Sequence, residues 1–263
     1  MAQGAGGWTM PAEVGPVEFL PVLDVPEPGR QRRLTVFFRW LILIPHFIVL
    51  WVLSIAAFFA VVVGWFAALF TAHLPAPIAR FLTGFVGYDT RLMASQSLLV
   101  DQYPPFALRP PQSYPVRIEV RPGRLNRLAV LFRLILMIPA AIINGLLGTG
   151  WIALAFFLWL ITLVLGRMPR PVFEATAAVA RFRMRFAAYA LMLTSAYPKG
   201  LFGDQRTAEP PASATRPLVM SGGGIALLIV FLVLGLAADV SNSVWGSDGS
   251  SHKDSGTVNT LGR

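Results

Sequence analysis

Three stretches of this chain carry no charged side chain: between Arg39 and Arg80, between Arg133 and Arg167, and between Arg216 and Asp239. Each is longer than the roughly 20 residues a helix needs to cross the hydrocarbon core of a bilayer. The second apolar run, Leu128–Leu165, is interrupted by Asn144-Gly145-Leu146-Leu147-Gly148-Thr149-Gly150. Glycine and asparagine at that density predict a turn, so the run reads as a helical hairpin with two arms of about 16 residues, each roughly 24 Å long at a helical rise. The first run, Leu34–Thr71, has only Ser54 near the matching place, and taken alone it also reads as one helix kinked at Pro45. Charge decides for hairpins. Arginines flank both ends of each run, and basic residues at membrane ends favour the cytoplasm. A hairpin keeps every cluster on that side.

The pattern recurs at an offset of 94 residues. Pro21-Val22, Pro28-Gly29-Arg30, Arg33-Leu34, Phe38-Arg39, Pro45, Trp65, Pro75, Pro77, Arg91 and Tyr103-Pro104 fall on identical residues of the later copy, 23 identities over 85 ungapped positions. Shared hydrophobicity would align leucines, not prolines, arginines and tryptophans, so one structural unit is used twice. The copies occupy residues 17–107 and 113–203.

Each copy opens with a short alternating stretch, Val22–Val25 and Val116–Val120, which reads as a β-strand able to pair across the copies or as an extended surface linker. Each closes with a third helix, roughly Ile78–Val100 and Val172–Thr194. In the second, Glu174, Ala178, Arg181, Arg185 and Ala188 share one face opposite Val179, Phe182, Phe186 and Leu193. That predicts an amphipathic helix at the membrane interface; the alternative is a spanning helix that buries its arginines against protein. The rest divides into a disordered N-terminus (1–16), a Pro-rich linker (204–217), a transmembrane helix (218–238) and a disordered tail (239–263). The expected fold class is an all-α integral membrane protein: a tandem duplicated unit plus one C-terminal transmembrane helix. It is expected to be multi-pass in the cell membrane, with a cytoplasmic N-terminus and an extracytoplasmic tail.

The motifs Tyr114-Pro115-Val116-Arg117, the Pro-Gly-Arg turn, the R-L-x-x-x-F-R-x-x-x-x-I-P segment and the closing Tyr103-Pro104-Pro105-Phe106 together resemble the family catalogued as Domain of Unknown Function 4389. The resemblance implies a bacterial membrane protein of a kind common in actinobacteria, and supplies no catalytic residue. Leu20 stands where the second copy has Tyr114, and Lys199-Gly200 where the first has Pro105-Phe106.

Composition sharpens this. Charged residues make up 13% of the chain against about 25% in soluble domains, and the net charge of +9 is carried almost wholly by arginine around the apolar runs. That points to anionic lipid headgroups, not nucleic acid. Without cysteine there is no disulfide, thiol nucleophile or thiolate metal site. His46, His73 and His252 have no partner at metal-ligand spacing, so no metal, cofactor or catalytic residue is assigned. The candidate site is a set of arginines contacting headgroups or a partner membrane protein: Arg33, Arg39, Arg127, Arg133, Arg181 and Arg185. Snorkelling without function is the alternative. Asp89 and Arg183, opposite charges at equivalent positions, are the candidate contact between copies. The leading reading is a non-enzymatic scaffold or accessory subunit with a basic cytoplasmic face. The others are a small lipid or solute transporter, and a lipid-modifying enzyme.

Overall fold

The computed structural model describes residues 19–205 and 212–251, with side chains described as far as residue 243. The N-terminal segment 1–16, part of the expected linker, and the tail beyond 251 lie outside the described residues. Among the described residues, two short strands and eight helices follow in order: β1 (Val22–Asp24), α1 (Arg33–Phe37), α2 (Arg39–Thr71), α3 (Ala76–Gln96), β2 (Arg117–Glu119), α4 (Arg127–Leu131), α5 (Arg133–Leu136), α6 (Ile138–Leu165), α7 (Arg170–Ala190) and α8 (Gly222–Ser251). Three of these, α2, α6 and residues Gly222–Ser243 of α8, are long and apolar enough to cross a membrane.

The expected hairpins do not form. The first run is one helix of 33 residues through Pro45, and the second is one helix of 28 residues through the glycine cluster. The reason lies in what surrounds the glycines. An ideal Cβ on Gly150 would stand 1.7 Å from the Phe231 carbonyl oxygen, and one on Gly235 would stand 2.1 Å from that of Leu146. Gly150 therefore allows α8 to press its backbone against α6, as small residues do between membrane helices. An apolar environment also keeps the backbone in its own hydrogen bonds, so glycine breaks a helix less readily there than in water. The tail is corrected as well: residues 239–251 continue α8. The linker is not free where it is described, since Thr215 is buried and its hydroxyl donates to the Leu23 carbonyl while accepting from the Val25 amide.

The two copies are related by a pseudo-two-fold axis. β1 and β2 pair antiparallel with Leu23 opposite Ile118 and Asp24 opposite Arg117, so each strand meets the equivalent stretch of the other copy. Gln31 N–H donates to the Gly166 carbonyl at 2.8 Å, and its equivalent Leu125 donates to that of Ala72 at 2.9 Å. Trp65 Nε1 donates to Val130 O at 3.0 Å, and Trp159 Nε1 to Val36 O at 2.9 Å. These four bonds tie the C-terminal end of each long helix to the N-terminal helix of the other copy, so α2 and α6 run antiparallel.

α3 is sandwiched. One face meets α2, where Gly64 abuts Leu74 and Ile78, Tyr88 meets His46, and Ser95 meets Arg39. The opposite face, through Gly84 and Gly87, meets Leu108 and Ile118 of the chain leading into and through β2. A third face packs on α7. α7, which also touches α6, α8 and β1, is buried continuously from Val172 to Phe182. The expectation of interfacial helices fails for this reason: α3 and α7 form the middle layer, and their Arg91, Glu174, Arg181 and Arg185 are buried against protein, while Arg80, Arg170 and Arg183 stay exposed. The layers are then α2 and α6 outermost on one side, α3 and α7 in the centre, and the β1–β2 pair with its polar loops on the other. α8 runs antiparallel to α6 beside them. The outer faces of α2 and α6 are studded with exposed Trp51, Ile55, Phe58, Phe59, Ile152 and Phe156, among others.

Candidate functional site

Four of the six arginines expected at headgroups point inward. Arg39, one residue past the break between α1 and α2, is 2% exposed. Its guanidinium donates to Ser95 Oγ and the Asp101 carbonyl at 3.1 Å and pairs with Asp101 Oδ1 at 3.0 Å. Its equivalent, Arg133, finds different chemistry because Ser95 and Asp101 are replaced by Tyr189 and Ser195. It lies over the Tyr189 ring at 4.2 Å and donates to the Thr194 carbonyl, while its Nε and Nη1 have no partner. Arg181 pairs with Asp204 at 2.5 Å and donates to the Gly200 carbonyl. Arg185 donates to the carbonyls of Pro21 and Lys199. Burial, with Arg181 beside it, pushes the Arg185 guanidinium down to about 10. Apart from the Arg39–Ser95 bond, which joins α2 to α3, each of these hydrogen bonds ties α2, α5 or α7 to a stretch of chain outside the helices.

Arg33 and Arg127, the remaining two, are exposed at the starts of α1 and α4. Around them the fold gathers further arginines. Arg30 bridges to Arg167, which places Arg30, Arg32 and Arg33 beside Arg167 and Arg170 at one end of the long helices. Arg124 and Arg127 stand at the other end, beside the C-terminus of α2. Asp89 and Arg183 are brought together across the seam: Arg183 Nη2 donates to Asp89 Oδ1 at 3.2 Å, with the side chains 17% and 48% exposed. The pair sits in a cleft of about 610 Å³ that also touches Trp51 and Ser54 of α2 and Asn144 of α6.

Sequence reasoning missed three features. His46 is fully buried, its Nδ1 2.6 Å from the Tyr88 hydroxyl and its ring stacked on Phe106 at 3.8 Å. The signal was the Tyr103–Phe106 motif, which closes the copy back onto α2. Glu174 accepts from the Ser221 amide and hydroxyl and from Arg170 Nε. Burial alone would raise its carboxyl, but these donors hold it below the usual carboxylate range. Third, the face of α3 away from α2 opens onto a groove of about 1200 Å³ that includes Arg91. Among the described residues no three His, Asp or Glu side chains converge on a possible metal position.

The geometry defines a class: a duplicated helical protein in which two copies interlock around buried arginines and present apolar helices on one side. The chain belongs to the family described as Domain of unknown function (DUF4389), whose model matches twice, at residues 33–107 and 127–201, once per copy. No curated protein matches the chain, and no solved structure does.

Proposed function

We propose that this chain is a non-enzymatic membrane scaffold or accessory subunit, seated with its apolar layer in the hydrocarbon and its arginine-rich face among anionic headgroups. The observation that carries the reading is the layering about the pseudo-two-fold axis. Were that axis in the membrane plane, as in an inverted repeat, Asp24, Arg117 and Glu119 on the axis would lie near the bilayer midplane. Charged groups at that depth are costly and ordinarily face a protein interior or a water-filled cavity; here Arg117 is exposed on the outer layer. With the axis along the membrane normal, the sheet and loops meet water and the long apolar helices lie tilted within the hydrocarbon. The arginines at both ends of α2 and α6 then share one face, which the positive-inside rule assigns to the cytoplasm.

The test is purification of the full chain in mild detergent, with retained lipids and proteins identified by mass. Anionic phospholipid should be enriched several-fold over its share of the source membrane, and replacing Arg32, Arg33, Arg124 and Arg127 by alanine should reduce that enrichment. A lipid complement equal to that of the bulk membrane would overturn the reading. Transport, the second reading, is supported by the duplication but weakened by the seam: Leu82 and Val86 of α3 and Val179 and Phe182 of α7 all belong to one buried apolar cluster.

A further inference from the structure

The groove on the far face of α3 has an internal control, because the same place exists in the second copy. There it is filled by the chain itself. Asp204 Oδ2 accepts from the Leu218 amide at 3.0 Å, and Glu174 accepts from the Ser221 amide at 2.7 Å. Leu218 O and Met220 Cγ crowd Gly203, within 2.7 and 3.2 Å of where a Cβ would stand. Thr215 bonds the backbone of Leu23 and Val25, and Leu218 is 0% exposed. The groove in copy two therefore takes the segment Thr215–Ser221, a turn through Pro217 followed by the apolar Leu218, Val219 and Met220.

Three of the residues that receive this segment have arginines at the positions that the pseudo-two-fold axis relates to them. Glu174, Gly203 and Leu23 correspond to Arg80, Arg109 and Arg117, and Asp204 corresponds to Pro110. Among the described residues no chain segment fills the first groove, which has a volume of about 1200 Å³. Those three arginines and Arg91 line it, with Leu74, Phe81, Leu108 and Ile118 as apolar floor and no carboxylate among the lining residues. Among the described residues, two polar groups in its wall lack partners: Nε of Arg91, a residue only 2% exposed, and Oγ1 of Thr83. One end of the groove is formed by Leu74 and Ala76, where the apolar helix α2 gives way to α3. That end of the groove adjoins the apolar helix α2, and from there the groove runs toward Arg109 and Arg117.

We propose that this groove is a specific site for one anionic phospholipid, its phosphate held by Arg80, Arg109, Arg117 and Arg91 and the start of an acyl chain laid along the floor. An apolar chain joined to an anionic head matches the order of surfaces from Leu74 to Arg117, and guanidinium forks bind phosphate oxygens in pairs. The inference deepens the lipid-binding role proposed above and rests on it, but it names a site distinct from the basic ends of the long helices.

The experiment is native mass spectrometry of the full chain with phosphatidylglycerol or phosphatidylcholine added at equal sub-saturating amounts, together with photo-crosslinking by a phosphatidylglycerol carrying a photoreactive acyl chain. Wild type should retain one phosphatidylglycerol in preference to phosphatidylcholine and crosslink within residues 74–91 or 108–120. Arg109→Glu with Arg117→Glu should lower that retention at least tenfold, whereas Arg109→Lys with Arg117→Lys keeps most of it. Lys199→Ala, an exposed cation outside the groove, should leave the single bound lipid in place. Retention unchanged in the glutamate variant, or crosslinks confined to α8 and α6, would overturn the groove and leave the general lipid reading standing. No preference for phosphatidylglycerol in wild type would sink both. A co-purifying peptide seated in the groove in place of lipid would also overturn it. Should the glutamate variant not fold, the wild-type crosslink position alone decides.

Discussion

At the scale of single residues, this chain uses arginine as an internal brace. The position shared by Arg39 and Arg133 shows how duplication relaxes a site: the first copy supplies a carboxylate, the second an aromatic face. The sequence announced the arginines, because they stand in an otherwise apolar run, but not their partners. Asp101 lies in the loop after α3, and Tyr189 occupies the place of Ser95, so neither follows from local spacing. The pair Asp89–Arg183 was legible for a different reason, since equivalent positions approach one another wherever a two-fold axis passes. Its place in a cleft between the apolar helices also explains why opposite charges suit it, because each cancels a charge that would otherwise stand alone among apolar side chains. With Arg183 about half exposed, the pair is worth less than a fully buried one. A double-mutant cycle of Asp89→Ala and Arg183→Ala, read by thermal unfolding in detergent, should give a coupling of about 1 kcal/mol or slightly less. Additive losses would mean that the two charges act independently.

At the scale of elements, length and apolarity of the three long helices were readable, and so was the strand character of Val22–Val25 and Val116–Val120. What local sequence could not show is what a glycine faces. Gly145 and Gly148 have open space around them, whereas Gly150 meets the backbone of Phe231; the same residue type signals a turn in water and a helix crossing in lipid. The interior position of α7 was hidden in a similar way. Its arginines suggested an exposed face, but Asp204 and the carbonyls of Pro21, Lys199 and Gly200, all outside the helix, satisfy them. The crossing of α6 and α8 is testable on its own. Gly150→Val should push α8 away from α6 and destabilise the protein by several kcal/mol, the ordinary cost of overpacking being about 1–3 kcal/mol and the clash here being with backbone. Gly148→Ala, at an open position on the same helix, should be neutral or mildly stabilising by about 1 kcal/mol. Thermal unfolding in detergent compares the two, and equal losses would refute the close contact.

At the scale of the whole molecule, the proposed seating draws on the charge pattern and on the fold. The sequence placed all arginine clusters on one side by folding each apolar run into a hairpin. Each run is instead a single helix; α2 is about 50 Å long at a rise of 1.5 Å per residue, well over the roughly 30 Å thickness of a hydrocarbon core. A helix that long either crosses at a steep tilt or lies largely along the membrane. The two cases differ in where the ends of α2 emerge. Crossing would put Arg32 and Arg124 on opposite sides, because Arg124 precedes Leu125, whose amide bonds the Ala72 carbonyl at the far end of α2. Seating along the pseudo-two-fold axis puts both on the cytoplasmic side, together with Gln112 in the polar layer between them. The chain has no native cysteine, so Arg32→Cys, Gln112→Cys and Arg124→Cys can each be probed singly with a membrane-impermeant maleimide. In intact cells all three should resist labelling, and in inside-out vesicles all three should react. Reaction of Arg124→Cys from outside intact cells while Arg32→Cys stays protected would mean that α2 crosses the bilayer, and the one-sided seating would have to be given up.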